Sequence, residues 1–257
     1  MRATAEPTPE DAIAVIAEMV TEFHELAKRG RVTTRPYVHP GLFGCVHGLH
    51  AHAHALAQAA GPLWDNPTTQ IACLPLARAA FECGVLAQWL LREPLALGAL
   101  VSEDQRQTRN LARDWANVPQ LAPYAPTIAR RLGDHHSDLA PIARSMEKLC
   151  NQFVGGGTLY AFYRLMSGYT HAGLAAASQW LEPTESEDAI APFRLRTARE
   201  PTRADAIFFG WGLLFTASAF ADLTKNDGTQ DNNQLNRWAR RIGVDRRLTL
   251  LPKSDRA

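Results

Sequence analysis

The chain has 257 residues, of which 46% are hydrophobic and 21% are charged, and its formal net charge is +1. This is ordinary composition for a globular protein, and a net charge so close to zero creates no global field toward nucleic acid or a membrane. Any nucleic-acid site would therefore have to be a local basic patch. The length does not demand two domains. We expect one helical domain over residues 1–257, with a core at about 65–224 and with helices 9–60 and 231–242 packed on it.

Cysteine usage and the N-terminus bear on the cellular compartment. No two cysteines form a C-x-x-C pair, which excludes zinc-knuckle and thioredoxin-type motifs; the four are Cys45, Cys73, Cys83 and Cys150. Scattered single cysteines in a chain of this length favour a reducing compartment. Residues 1–20 carry acids where a secretory signal needs bases. The sequence therefore predicts a cytoplasmic protein.

The longest uncharged apolar stretch lies between Asp205 and Asp222. At about 16 residues it is shorter than the ~20 that a membrane-spanning helix needs. We therefore expect a buried helix here and no membrane partner.

In chain order, the first predicted helix covers 9–29. Thr8 is placed to cap it, Pro9 suits its first position, and Gly30 ends it. A second helix is expected over 42–60, closed by Gly61-Pro62.

The next helix is predicted from Asn66-Pro67 to about Leu91, and its middle is apolar on nearly every face, as in a central bundle helix. Helices at 102–116, 125–132 and 138–151 follow. Three glycines, Gly155 to Gly157, precede a long helix over 158–181, and residues 182–203 are predicted to form a surface loop.

Helices at 203–224 and 231–242 complete the chain. No stretch alternates apolar and polar residues well enough to predict a strand. The fold class expected is therefore all-α, an up-and-down helical bundle with additional terminal helices.

Polar residues inside two apolar helices are the first candidates for chemistry. Arg78 and Glu82 are four residues apart and share a helical face. Arg164 and His171 are seven apart and also share a face on a continuous helix. Because charged groups in such helices need partners, we expect one internal cluster of these four residues.

Two interpretations of this cluster stay open. In the first, the Arg, Glu and His side chains satisfy one another and fix how the helices pair. In the second, they line a cleft in which an arginine steadies a phosphate and His171 transfers a proton.

The stretch from Arg164 to His171, with the sequence RLMSGYTH, resembles the R-x4-6-H motif of the HEPN superfamily of all-helical proteins. That resemblance implies a metal-independent ribonuclease without a cofactor, in which Arg164 binds the scissile phosphate and His171 handles the proton as a 2′-hydroxyl attacks. It also implies RNA as a partner and a site formed across a homodimer. The superfamily's nucleases commonly carry a polar residue after the arginine, where this chain has Leu165, which favours a non-catalytic binding or scaffold protein.

The chain also resembles a bacterial group of uncharacterised helical proteins. Members pair an R-x-x-x-E helix, here Arg78 to Glu82, with a Y-x-x-x-S-x-x-x-H segment, here Tyr163, Ser167 and His171. This resemblance covers about residues 65–180 and implies no known activity.

A histidine run offers a third interpretation. His47, His50 and His54 fall on one stripe of the 42–60 helix, and their spacing allows imidazoles to share a metal. There is no H-E-x-x-H motif and no acidic ligand close in sequence. We therefore expect partly exposed histidines and no native metal site.

Basic residues cluster in two places, as in a nucleic-acid footprint. Solvated loops and helix ends show the same pattern, and no aromatic residues are interleaved to stack on bases. The residues are Arg194, Arg196, Arg199 and Arg203 in the predicted loop, and Arg237, Arg240, Arg241, Arg246 and Arg247 near the end of the chain.

Overall fold

The computed structural model describes most of the chain. The described residues are 6–30, 32–66, 68–130, 133, 135–171, 173–183, 193–196, 204–225 and 232–256. Over these residues the protein is an all-α helical bundle, as the sequence predicts. The helices are α1 (Pro9–Arg29), α2 (Pro40–Trp64), α3 (Cys73–Arg92), α4 (Ala96–Ala116), α5 (Ala125–Ala129), α6 (Ala140–Arg144), α7 (Met146–Cys150), α8 (Gly156–Thr170), α9 (Leu174–Ser178), α10 (Ala204–Leu223) and α11 (Asn232–Arg241).

Helix α1 has the bounds that its terminal residues predict. The Thr8 hydroxyl accepts a hydrogen bond from the Asp11 backbone N–H at 3.1 Å, and Pro9 occupies the first position. At the other end Gly30 adopts a φ of 65°, a left-handed conformation that glycine reaches without steric cost.

The centre of the bundle is the pair α3 and α10, with α2 packed against both and α1 against α10. Two glycines allow this closeness, because a Cβ built on Gly212 would lie 2.5 Å from the Ala80 carbonyl oxygen. A Cβ built on Gly84 would lie 2.7 Å from the Gly212 carbonyl oxygen. The largest buried side chains around this contact include Phe81, Trp89, Phe209, Phe215 and Phe220.

Two helices are long and apolar enough to cross a membrane by length and composition, over Gln70–Arg92 and Asp205–Leu223. In the most apolar 18-residue stretch of each helix, 56% and 83% of the residues, respectively, are buried in the bundle. Central bundle helices are apolar on all sides for this reason. The prediction of a buried helix between Asp205 and Asp222 is confirmed.

Several predicted helix ends need correction. Helix α2 does not close at Gly61 but continues through Pro62 to Trp64, since a proline so near a helix end removes only one backbone hydrogen bond. Helix α3 begins at Cys73, after a 3-10 turn over Gln70–Ala72, rather than at Asn66-Pro67.

The predicted helix over 138–151 is broken in two at Ser145. That residue has an extended backbone, with φ −122° and ψ 115°, and its hydroxyl caps α7 by accepting from the Lys148 backbone N–H. Serine competes for backbone hydrogen bonds in this way and so favours helix starts over helix interiors.

The predicted helix over 158–181 ends early, at Thr170, and α9 is a separate helix. The prediction of no strand is also wrong, because Leu181–Pro183 (β1) pairs antiparallel with Phe193–Leu195 (β2). Three-residue strands are too short to produce a detectable alternation of apolar and polar residues.

Candidate functional site

The packing of α8 on α3 creates a polar cluster around one guanidinium group, that of Arg78. On its own helix, Arg78 donates from Nε to the Glu82 carboxylate at 2.9 Å. Across the interface it donates from Nη2 to the Tyr163 hydroxyl at 2.8 Å and from Nη1 to the Thr170 hydroxyl at 2.9 Å. The same Nη1 lies 3.1 Å from Nε2 of His171.

The contact between Arg78 and His171 fixes the state of the histidine ring. An arginine is always a donor near neutral pH, so Nε2 of His171 must accept with its lone pair. The imidazole in this arrangement is therefore neutral and carries its proton on Nδ1. Its basic nitrogen is occupied by Arg78 and is not free to take a proton from a substrate.

Three of the four predicted residues meet, namely Arg78, Glu82 and His171, and Arg78 links the other two. Arg164 is placed differently. It is exposed, and a hydrogen bond with Tyr160, one turn back on α8, raises the pKa of Arg164. The expected four-residue cluster is corrected to a cluster without Arg164.

Arg164 lies outside the cluster because of the direction in which the side chains of α8 point. Tyr163, Ser167 and Thr170 are spaced by four and three residues and form the stripe that faces α3. Arg164 is one residue, or about 100°, away from that stripe. His171 is not in helical register at all, since it caps α8 with an extended backbone at φ −94° and ψ 143°.

Tyr163 and Thr170 were not predicted as site residues. The sequence signal that points to Tyr163 is its position as the first residue of the Y-x-x-x-S-x-x-x-H segment. The Arg78 guanidinium carbon also lies 5.0 Å from the centroid of the Tyr163 ring, within range of a cation–π contact. The chain resembles a bacterial group of helical proteins through two motifs, R-x-x-x-E and Y-x-x-x-S-x-x-x-H. These two motifs therefore meet in space.

The cluster lies at the surface rather than in a closed core. The Arg78 and Glu82 side chains are 22% and 36% exposed, and His171 is exposed. The adjoining cavity, lined by Pro75, Arg78, Ala79, Glu82 and Thr170, measures about 150 Å³. That is smaller than the roughly 300–1,000 Å³ typical of small-molecule sites.

The histidine stripe of α2 is mostly buried, which corrects the expectation of partly exposed side chains. His47 is exposed, whereas His50 and His54 are 0% and 2% exposed. Phe23 of α1 stacks on His54 with 4.5 Å between ring centroids, and Phe220 of α10 stacks on His50 at 5.0 Å. The described part of the chain contains no group of three metal-ligating side chains arranged to share an ion.

Hydrogen bonds give both buried histidines the same neutral form. Nδ1 of His54 lies 2.8 Å from the His50 carbonyl oxygen, and Nδ1 of His50 lies 3.2 Å from the Thr216 hydroxyl. That hydroxyl donates to the Leu213 carbonyl, so it accepts from His50. Burial lowers the pKa of His50 well below its usual value and that of His54 to about 4.

Three of the five basic residues near the C-terminus have side-chain partners within the protein. Arg241 pairs with Glu18 at 2.6 Å, Arg247 pairs with Asp222, and Arg237 donates to Gln234 within α11. In the predicted loop, Arg196 lies 3.8 Å from Glu182. Arg199, Arg203 and the side chain of Arg194 lie outside the described residues.

The comparisons with known proteins bear on the same segment. No curated protein and no solved structure matches the chain significantly. One family model, described as a family of unknown function (DUF5677), matches residues 44–189. This range begins inside α2, extends past α9 and β1, and contains Arg78, Glu82, Tyr163 and His171. Because the match covers more than half of the chain, the protein belongs to this family.

Proposed function

We propose that this is a non-catalytic helical binding or scaffold protein, in which the Arg78 cluster is a structural lock between α3 and α8. The observation that carries the proposal is that four of the five N–H donors of the Arg78 guanidinium have partners within the protein. These four donors are committed to Glu82 on α3 and to Tyr163, Thr170 and His171 on α8 and its cap. An arginine that binds a substrate phosphate needs a free fork of two N–H groups.

The position of Arg164 and the small cavity support the same proposal. Arg164 forms a hydrogen bond with Tyr160, whereas His171 contacts Arg78, so the two residues of the R-x6-H motif have different partners. The cavity of about 150 Å³ beside Glu82 leaves little room for a nucleotide.

The test compares stability with activity in one set of variants. Arg78→Ala and Tyr163→Phe are expected to lower the melting temperature, whereas the wild type leaves a mixed RNA substrate intact in the presence of a chelator. Arg164→Ala is the matched control, since it removes an exposed arginine of α8 and is expected to leave melting unchanged. Efficient RNA cleavage by the wild type would contradict the proposal.

A second candidate, metal-independent RNA cleavage, is favoured by one observation: a different arginine, Arg78, lies 3.1 Å from His171 in a solvent-reachable cluster. In this version Arg78 replaces Arg164 as the phosphate ligand and His171 accepts the proton of an attacking 2′-hydroxyl. RNA binding would have to draw Arg78 away from Nε2 of His171. Attack of the 2′-oxygen on phosphorus would break the bond from phosphorus to the 5′-oxygen, which would leave as a hydroxyl after taking up the proton that His171 has accepted. One product would then carry a 2′,3′-cyclic phosphate, and the resemblance to the HEPN superfamily adds a homodimer.

The variants separate this candidate from the Arg164 mechanism of the resemblance. If the chain cleaves RNA, activity should survive chelator, disappear in Arg78→Ala and His171→Ala, and persist in Arg164→Ala. Light scattering of the same samples shows whether the active species is a dimer. Loss of activity in Arg164→Ala alone would contradict the role given to Arg78.

A further inference from the structure

A second polar cluster lies between α4 and α6, on a different part of the fold from the Arg78 cluster. Its centre is Glu103, a carboxylate that is only 3% exposed. Arg106 donates to it twice, from Nε at 2.8 Å and Nη2 at 2.6 Å, and Arg144 of α6 donates from Nε at 3.0 Å. Gln107 adds a further hydrogen bond at 3.1 Å.

These hydrogen bonds hold the guanidinium groups of Arg106 and Arg144 against Glu103, which acts as a fixed support for both. The hydrogen bonds from Arg106 lower the pKa of Glu103 to about 2, so the carboxylate is ionised throughout the neutral range. Arg106 uses one edge of its guanidinium for Glu103, and Arg144 uses only Nε. Each arginine therefore keeps N–H donors that the carboxylate does not occupy.

A cavity of about 330 Å³ opens directly beside this support. Three arginines, two serines and a histidine line it: Arg106, Arg109, Arg144, Ser102, Ser137 and His136. Ser102, Arg106 and Arg109 are spaced by four and three residues and so share one face of α4. Arg109 is exposed and makes no ion pair within the part of the chain that is described.

The charge of the cavity lining is unbalanced. Asp138 is the single acidic residue among the described residues that line the cavity, and it is fully exposed at the rim, 3.7 Å from His136. Three permanent cations face the cavity against the solvated carboxylate of Asp138 and the buried carboxylate of Glu103 behind them, which leaves an excess of one positive charge. Guanidinium forks and hydroxyls are the groups that recognise phosphate oxygens in proteins.

We propose that this cavity binds a small phosphomonoester, with Arg109 and the free N–H groups of Arg106 and Arg144 holding the phosphate. The volume lies at the lower end of small-molecule sites, which fits a phosphate with a compact organic group attached. Among the described residues that line the cavity there is no Phe, Tyr or Trp to stack on a base, so a small ester suits it better than RNA. This inference is independent of the role of Arg78.

The test is calorimetric titration of the full chain with glycerol 3-phosphate and, separately, inorganic phosphate. We expect the ester to bind and Arg109→Gln to weaken it about tenfold or more, because a charge-assisted contact is lost. Arg109 supports no other described side chain, so the variant should melt like the wild type. The matched control is Arg113→Gln, one turn further along α4 and outside the cavity.

Several outcomes would overturn the proposal. One is the absence of binding of either phosphate compound at low millimolar concentration. Another is equal weakening by Arg109→Gln and Arg113→Gln, which would indicate general electrostatic attraction. A short single-stranded RNA that binds more tightly than the ester and depends on both arginines would assign this face to nucleic acid instead. Tighter binding of inorganic phosphate than of the ester would show that the cavity holds a free anion.

Discussion

At the scale of single residues, partners decide what a charged side chain does. Arg78 and Arg164 are both arginines on apolar helices of one interface, yet Arg78 is enclosed by four partners and Arg164 is exposed beside Tyr160. The difference arises because Tyr163 faces α3, whereas the next residue, Arg164, lies about 100° further around α8.

Replacing Arg78 with alanine is expected to destabilise the fold by about 2 kcal/mol, because several charge-assisted hydrogen bonds between α3 and α8 are lost. Glu82→Ala should cost less than about 1 kcal/mol, since the Arg78–Glu82 pair is partly exposed and lies within one helix. This loss of stability is smaller than the loss expected when one member of a buried ionic network is removed. Urea unfolding measures both variants, and equal losses would contradict the ranking.

The buried histidines of α2 predict how stability changes with acid. In the unfolded chain a histidine titrates near pH 6.5, whereas folding lowers the pKa of His54 to about 4. Below pH 6.5 the unfolded state binds a proton that the folded state does not, so stability falls as pH decreases toward 4. For His54 the loss amounts to about 3 kcal/mol, and His50 adds to it in the same direction.

Urea unfolding between pH 7.5 and pH 4.5 measures this loss. The window ends at pH 4.5, where the loss linked to Glu103 only begins, because the pKa of that carboxyl is about 4.5 in the unfolded chain and about 2 in the folded protein. His54→Phe should flatten the pH dependence, because it removes one titrating group. His52→Gln, which changes an exposed histidine of the same helix, is the matched control for replacing a histidine of α2.

At the scale of helices, two features shape the molecule: the close approach of α3 and α10, and the early end of α8. The contact between α3 and α10 depends on positions without a side chain, and α8 ends at Thr170, which turns His171 toward Arg78. Neither feature follows from the periodicity of one helix, since both are set by the helix packed against it.

Gly212→Ala is expected to destabilise the protein by roughly 3 kcal/mol, because the new methyl group would overlap backbone atoms of Ala80 and Phe81. Backbone atoms cannot rotate away as a flexible side chain does. Gly48→Ala is the matched control in the exposed interior of α2, where a Cβ meets nothing within 4 Å. It should stabilise by about 0.5 kcal/mol through helix propensity. Similar effects of the two substitutions would refute the close approach.

At the scale of the whole molecule, apolar burial is uneven. Helices α3 and α10 carry most of the large buried side chains, whereas the buried residues of α4 are Ala96, Ala99, Ser102 and Glu103. Helix α4 packs chiefly on α5 and α6, which are short. The α4–α6 layer therefore has little apolar surface to hold it on the bundle.

Hydrogen exchange should resolve this difference. Backbone amides of α3 and α10 are expected to exchange only through global unfolding, whereas those of residues 104–116 exchange through local opening at a lower free energy. Mass spectrometry of peptides from both regions measures the two rates. Equal protection would show that α4 is part of the central cooperative unit. If the proposed phosphomonoester binds, it should slow exchange in α4.

The sequence by itself determined the helical fold, the bounds of α1, the burial of α10 and the pairing of Arg78 with Glu82. All of these depend on residues close in the chain, through caps, periodicity and spacing within one helix. Tertiary structure decided the rest. It buried His50 and His54 under aromatic rings of α1 and α10, gave Arg164 and His171 different partners, and brought Arg144 to Glu103. Those outcomes depend on which faces of different helices meet, and no local pattern encodes the rotation of one helix against another.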